Sequence, residues 1–341
     1  MNQPKHRYFS VEVPLRISFV GGGTDVNPFM SRYGGMVVSA TISKKITATL
    51  KEIEQDSITI YEVWSKKSQV VEPFLDDSDL PSNLVTGWIS LLPRNLRYGL
   101  HLEIDSKVPP GSGLGASSAI AVATCKLAQM KLGSHSSQHS LAITAYKIER
   151  EFLGITGGCQ DHYAAAFGGL NHFIFQNYTE CALSPIRYND SFLRLLFDNL
   201  TLVWTGVSRN SSEILSDQIS KNEQELNTSA LLRQKTLVPS FLQSLEAKSL
   251  SGVAQLLTES WRIKKKFANG ISNAKLDSLF QKCLENGALG GKLLGAGGGG
   301  YFLFLSDPKF TQNFRSFLSE QCVEYEEVIL NEGLKYHAYE H

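Results

Sequence analysis

The segment PPGSGLGASSA at residues 109–119 constrains this chain more than any other stretch. It sets glycines and serines directly ahead of an apolar run of helical character, IAVATCKLAQM. Glycine lets backbone approach a ligand with no Cβ in the way. The first N–H groups of a helix lack acceptors within it, and the helix dipole favours negative charge at that end. Phosphate is the guest such a turn accommodates. Pro110, Gly111, Ser112, Gly113, Leu114, Gly115, Ala116, Ser117 and Ser118 are therefore expected to cradle the phosphates of a nucleotide.

Other readings of the same letters fare worse. Gly111, Gly113 and Ala116 fit the G-x-G-x-x-A pattern of dinucleotide folds, which also needs a second strand about 20 residues on, ending in an acidic residue. Here the helix stops near Gly133, and SHSSQHS leads into another helix. A Walker loop needs a lysine after its last glycine, and none follows. A purely structural turn leaves the adjacent hydroxyls of Ser117 and Ser118 without a task beyond capping, whereas a serine beside phosphate can reach Mg²⁺ and nucleotide oxygens.

Length and charge set the frame. At 341 residues the chain has room for about two domains. Basic and acidic residues balance at 33 each, which argues against nucleic acid or a membrane surface as a partner. The five cysteines are an odd number, widely spaced and without a CxxC, so reduced thiols and a cytoplasmic location are expected. The apolar stretch after residue 11 is broken by Pro14 and Arg16, so it is not expected to serve as the apolar region of a signal peptide. No apolar run is long enough to span a bilayer.

Along the chain, residues 7–20 alternate as a strand into the Gly21–Gly23 turn. MVVSATI and ITATLKEI continue in strand style, and SITIYEVW with SQVVEPF reads as a hairpin. A helix is expected over 83–97, then a strand LHLEIDS that delivers the chain to the glycine-rich turn. Helices follow at about 116–132 and 138–153, then a strand LNHFIF. LTLVWTG near 200–206 is a further strand, and the domain boundary is placed there, giving domains 1–200 and 201–341. Residues 210–286 read as mostly helical, KLLGAGGGGYFLFL as loop then buried strand, and EEVILNEG as the final strand. Blocks of strand and blocks of helix argue for an α+β fold.

Several polar residues have unusual addresses. Glu149 falls on a 3, 4, 3 stripe with Ala142, Ala145 and Phe152, one face of the expected helix. A carboxylate there needs a partner: a basic residue in a buried ion pair, or a metal ion. Arg16 lies in an otherwise apolar strand and needs an anion if it points inward. Asp161, ahead of a small-residue helix, suits a helix cap or a proton acceptor. Thr24 and Asp25 close the first glycine turn, where a carboxylate could hold sugar hydroxyls or shape the turn. His135 and His139 have i,i+4 spacing but sit among serines with no Glu after His135, so metal binding is not expected there.

Three segments in order, PLRISFVGGGTD at 14–25, the 109–119 loop and KLLGAGGGGYFLFL at 292–305, resemble the motifs of the GHMP kinases. The GGGTD form, with IEREFLGITGGCQDHYAAAFGG at 148–169, is most similar to the D-glycero-D-manno-heptose 7-phosphate kinase branch, and fucokinase kinase domains look similar too. The resemblance implies a two-domain fold: an N-terminal ribosomal-protein-S5-like domain that binds ATP and a C-terminal ferredoxin-like α/β sandwich domain. It implies ATP and Mg²⁺, with Ser117 and Glu149 at the metal. The spacing from Glu149 to Asp161 is one residue longer than in mevalonate kinase, which leaves Glu151 as the other candidate, though Glu151 lies off the apolar stripe. Asp161 would accept the proton of the sugar hydroxyl, with Arg16 orienting it or stabilising the transition state.

The acceptor would meet Gly22, Gly23, Thr24 and Asp25 of the first motif, Gly297 and Gly298 of the third, and Lys292 just ahead of it. A second phosphate on the acceptor needs a cation, for which Arg209 in TGVSRNSSE is preferred over Arg262, Lys264 and Lys265, because a charge run such as 262–266 is usually a solvated face. The implied reaction is phosphorylation of the anomeric hydroxyl of the heptose 7-phosphate by a monomer or homodimer, in the biosynthesis of nucleotide-activated heptose. A free-sugar 1-kinase resembling fucokinase and a non-catalytic sugar sensor are the alternatives.

Overall fold

In the computed structural model, residues 7–73, 75, 83–187, 191–208 and 212–340 are described. The first strand, β1 (Arg7–Val20), alternates outward and inward up to Val13 and is then buried on both faces. The change has a simple cause: helices pack against it from both units of the fold. After the short helix α1 (Phe29–Tyr33), β2 (Gly35–Glu52) runs antiparallel to β1 as one strand through both MVVSATI and ITATLKEI. β3 (Ile58–Glu62) and β4 (Lys67–Val71) form the expected hairpin, and β3 lies parallel to β5 (Leu100–Ser106). The expected helix over 83–97 is instead two short 3₁₀ turns, 87–91 and 94–96. Pro93 stands between them and cannot donate the N–H that a continuous helix would require.

From β5 the chain enters the glycine-rich turn and α2 (Ala116–Lys131), whose residues from Ser118 to Ala128 are all buried. Next come α3 (Gln138–Tyr146), α4 (Gln160–Phe167), β6 (Leu170–Phe175) and β7 (Cys181–Pro185). The helix expected over 138–153 ends early as an α-helix and finishes as a wider π-type turn over 147–152. That widening rotates the register, so Ala142, Ala145 and Glu149 are buried while Phe152 leaves the stripe and is 42 % exposed.

The second unit begins with α5 (Ser191–Asp198) and β8 (Leu200–Trp204). Four helices follow: α6 (Ser212–Glu223), α7 (Thr228–Glu246), α8 (Leu250–Lys264) and α9 (Ala274–Glu285). Then come β9 (Ala288–Leu293), β10 (Tyr301–Ser306), α10 (Thr311–Glu320) and β11 (Tyr325–Glu327). Its sheet has the order β11-β8-β10-β9. Aromatic rings fill its core: Phe280 lies 5.6 Å from Phe302 and 5.3 Å from Phe304.

The final strand is not EEVILNEG. Only Tyr325–Glu327 of that region pairs in the second sheet, and Leu330 makes a single bridge to Ile42. The chain then crosses back as β12 (Lys335–Glu340), antiparallel to β1. The first sheet therefore has eight strands, with β12-β1-β2-β5-β3-β4 in line and β6 and β7 branching from β2. Where the units meet, Phe19 of β1 lies 5.2 Å from Phe241 of α7 and 6.2 Å from Phe197 of α5. All five cysteines are free thiols. No helix among the described residues is long and apolar enough to cross a membrane.

Candidate active site

A cavity of about 750 Å³ opens between the two units, and most of the residues singled out in the sequence line it. Its floor is the turn from β5 to α2. Gly111, Gly113 and Gly115 adopt φ of +75°, +81° and +76°, a left-handed path that L-residues with a Cβ avoid. The first turn of α2 carries no acidic residue of its own; the negative charge beside it is Glu149, held by the Ser117 and Ser118 hydroxyls. Of the expected cradle, Pro110 to Gly113 and Gly115 to Ser118 line the cavity. Leu114 does not. Its side chain is fully buried, and its carbonyl accepts a hydrogen bond from Arg16 N–H at 3.0 Å.

Arg16 and Asp161 meet across the mouth of this turn. The Arg16 guanidinium donates from Nε and Nη2 to the two carboxylate oxygens of Asp161, each at 2.7 Å, and from Nη1 to Gly113 O at 2.5 Å. A bidentate pair of this kind fixes both position and orientation. Arg16 is 5 % exposed, so the strand does turn it inward. Asp161 sits in the first turn of α4 but does not cap that helix. That task falls to Asp25, whose carboxylate accepts from Gln160 N–H at 3.0 Å, Gln160 Nε2 at 3.1 Å and Gly23 N–H at 3.1 Å. Burial pushes the Asp25 carboxyl above the usual carboxylate range, only partly offset by the Gln160 N–H, and the nearby negative Asp161 adds to the rise.

Ser117 and Ser118 both donate to Glu149, the latter at 2.8 Å. Glu149 is completely buried. Burial alone would raise its pKa, but Arg150 at 3.4 Å, His162 Nε2 at 2.6 Å and the Ser117 hydroxyl outweigh it and hold the group ionised, at about 2. Glu151 is exposed, so Glu149 is the carboxylate beside Ser117. Among the described residues no cluster of three or more His, Cys, Asp or Glu side chains could hold a metal ion. Ser117 and Glu149 offer two hard oxygen donors instead. That set fits Mg²⁺, which takes few protein ligands and completes its shell with phosphate oxygens and water.

Two lysines close the other side. Lys292 of β9 is 2 % exposed and donates to Phe19 O at 3.0 Å. Burial, together with the positive charges of Lys264 and Arg16, pushes its amine well below the usual lysine range. Lys264 overturns the expectation for its charge run. Arg262, Lys265 and Lys266 are exposed, but Lys264 is buried, lines the cavity and donates to Gly295 O. Burial first, then Arg16, lowers its amine to about 7, against the pull of Asp161 and Asp25.

The remaining expectations divide. Gly22, Gly23, Asp25, Lys292 and Gly297 line the cavity. Thr24 does not. It is fully buried, its hydroxyl lies within hydrogen-bond reach of Gly21 O and Met36 O, and it accepts from Met36 N–H, so it braces the turn and cannot touch a substrate. Gly298 is also off the cavity wall, its N–H spent on Ile271 O. Arg209 lies outside the described residues. His139 belongs to α3, where its ring faces the Tyr163 hydroxyl at 3.3 Å. Sequence reasoning passed over Ser18, Gln160 and Gln218, which all line the cavity. It also passed over the apolar end formed by Ile60, Trp64, Leu84, Val85 and Val108.

Comparison with known proteins points one way. The model of the GHMP kinases N terminal domain matches residues 83–169, and that of the GHMP kinases C terminal matches 241–324. The chain is 33% identical over 333 residues to a D-glycero-alpha-D-manno-heptose 7-phosphate kinase of Campylobacter jejuni, covering 95% of this chain and 97% of that one. It is 27% identical to part of a bifunctional fucokinase/GDP-fucose pyrophosphorylase of Arabidopsis thaliana, over 93% of this chain and 32% of that protein. The crystal structure of a D-glycero-D-manno-heptose 1-phosphate kinase from Bacteroides thetaiotaomicron superposes with a TM-score of 0.78 at 25% identity, covering 97% of this chain and 98% of that one.

Proposed function

The chain belongs to the GHMP kinases, ATP-dependent phosphotransferases, and from that premise we propose that it phosphorylates the anomeric hydroxyl of a heptose 7-phosphate. The observation that carries the reading is the Arg16–Asp161 pair facing the glycine turn across one cavity. Phosphoryl transfer asks a protein mainly for positioning and charge neutralisation. ATP would lay its base against Trp64, Leu84 and Val85 and its phosphates along Gly111–Ser118. Ser117 and Glu149 would hold Mg²⁺, which would supply positive charge to offset that of the phosphates.

Asp161 is the acceptor's proton sink. The sugar oxygen forms a bond to the γ-phosphorus, the bond from that phosphorus to the β,γ-bridging oxygen breaks, and the hydroxyl proton passes to the Asp161 carboxylate. Arg16 keeps that carboxylate aimed, and Lys264 adds positive charge beside it. The heptose acceptor rests on the similarity to the Campylobacter jejuni kinase over nearly the whole chain. The similarity to the fucokinase portion supports a second reading, a 1-kinase of a free sugar.

A coupled ADP-release assay with heptose 7-phosphate, fucose, galactose and mannose tests both readings. The expected outcome is turnover on heptose 7-phosphate at least tenfold above any free sugar. Equal or faster turnover on fucose would decide for the second reading, and no turnover on any sugar would remove both. Asp161→Asn is expected to lower kcat by roughly 10²–10⁴ with nucleotide affinity retained.

A further inference from the structure

Buried polar atoms are nearly always hydrogen-bonded, so an orphan calls for an explanation. Ser18 Oγ, Gln160 Oε1 and Gln218 Nε2 find no partner among the described residues, although their residues are only 6 %, 9 % and 3 % exposed. All three line the same cavity. They come from three separate elements, β1, α4 and α6, yet converge on Gly22 and Gly23. A Cβ added to Gly22 would stand 3.2 Å from Ser18 Oγ and 3.6 Å from Gln160 Nε2. One added to Gly23 would stand 3.3 Å from Gln218 Nε2. The glycines thus leave open a space that a side chain would otherwise fill, bordered by the unpartnered Ser18 Oγ and Gln218 Nε2 and by the Gln160 amide, whose Nε2 is spent on Asp25.

The set carries complementary chemistry. Gln218 Nε2 donates, Gln160 Oε1 accepts, and the Ser18 hydroxyl does either. Gln160 is itself held by Asp25 through both its N–H and its Nε2, so its free oxygen is fixed in direction. It immediately precedes Asp161, and Asp161 lines the same cavity as the three orphans. A vicinal polyol, in which neighbouring hydroxyls each donate and accept, matches this wall. An acceptor with methyl groups there would leave every one of these atoms buried and unpaired, at a cost in binding.

We propose that Ser18, Gln160 and Gln218 form the subsite that reads the hydroxyls of the acceptor and so restrict this enzyme to polyhydroxylated acceptors. The proposal rests on the sugar-kinase reading above but not on which sugar is used. Gln160 also anchors Asp25, so the test uses Gln218→Met, close in volume, and Ser18→Ala. Each variant is assayed for acceptor KM with heptose 7-phosphate, its monodeoxy analogues and fucose, for ADP affinity, and for thermal stability without ligand.

The expected result is an acceptor KM raised roughly tenfold or more, since a site built to bond a hydroxyl loses most when that bond cannot form. ADP affinity stays within about twofold, and the wild-type preference for a hydroxyl over its deoxy analogue narrows in at least one position. The unliganded variants melt at or above the wild-type temperature, because an unpaired buried group has been removed. Unchanged acceptor KM in both variants overturns the subsite, as does a melting temperature that falls together with ADP affinity, the mark of a structural role. Should the wild type use fucose and not heptose 7-phosphate, the heptose reading fails, while a KM rise for fucose in the variants still upholds the subsite.

Discussion

Taking the Lys264 ammonium out of water costs several kcal/mol, and Arg16 repels it further. In the unfolded chain this amine keeps its proton up to about pH 10.5, whereas in the fold it releases it above about pH 7. Between those values the unfolded state holds more protons, so stability rises with pH across the window. Below pH 7 the full cost is present. Lys264→Met is therefore expected to stabilise the unliganded protein by on the order of a few kcal/mol at and below neutral pH, with a gain that shrinks toward pH 10.5. Denaturant unfolding of both proteins below, within and above the window checks this, and a gain that grows with pH would contradict it. The same variant should turn over more slowly, because the charge that destabilises the empty cleft is the one that meets phosphate. Glu149 has the opposite sign: its carboxyl is depressed from 4.5 to about 2, so its contribution is present above pH 4.5 and lost as pH falls toward 2.

Two glycine-rich loops interlock at the level of elements. A Cβ on Gly113 would lie 2.8 Å from Leu294 O, one on Gly295 would lie 2.5 Å from Gly113 Cα, and one on Gly300 would lie 2.5 Å from Ser112 O. The nucleotide turn of the first unit and the third-motif loop of the second therefore share one backbone-to-backbone contact that no side chain fits. Gly113→Ala, also strained at φ +81°, is expected to raise the ATP KM at least about tenfold and to cost roughly 1–3 kcal/mol of stability. Gly133→Ala is the control. Its φ is +61° with nothing within 4 Å, so about 1–2 kcal/mol of strain should come without a change in KM. Steady-state kinetics and thermal melts of the pair separate crowding from strain. The glycine turns were legible from the letters because glycine adopts such φ values at far lower cost than any other residue. The 142, 145, 149 stripe was legible too, but it failed at Phe152, because helical spacing cannot foresee the wide turn over 147–152. Lys264 was hidden by composition: RIKKK reads as a solvated run. Position would have found it, since Leu257, Ser260, Trp261 and Lys264 are all buried on the i, i+3, i+4, i+7 stripe of α8. The orphan atoms of Ser18, Gln160 and Gln218 had no signal in the sequence, because their convergence depends on how three distant elements pack.

The whole molecule is tied together by a strand that local sequence does not announce. β12 comes after every element of the second sheet, yet it completes the first by pairing along Arg7–Glu12 of β1. Tyr339 lies 5.4 Å from Tyr8. Tyr336 covers the Lys126 ammonium of α2 at 3.9 Å, and burial holds that amine below the usual lysine range. A cation over an aromatic face is worth about 0.5–2 kcal/mol, and the strand adds its ladder of backbone bonds to β1. β1 in turn carries Arg16 and Ser18 at its far end, so the strap braces the strand that positions the acceptor side of the cavity. Removing residues 335–341 is expected to lower the melting temperature by several degrees, since each kcal/mol shifts it by roughly 1–2 °C in a chain of this length and the loss takes the whole ladder along Arg7–Glu12 with it. Amide hydrogen exchange should speed up along 7–12 and stay slow in β8 and β10, the centre of the other sheet. If exchange rose equally in both sheets, the two units would be one cooperative block and β12 no strap. If it rose in neither, the strand would be ornamental, and the stability of β1 would have to come from β2 and the helices on its faces alone.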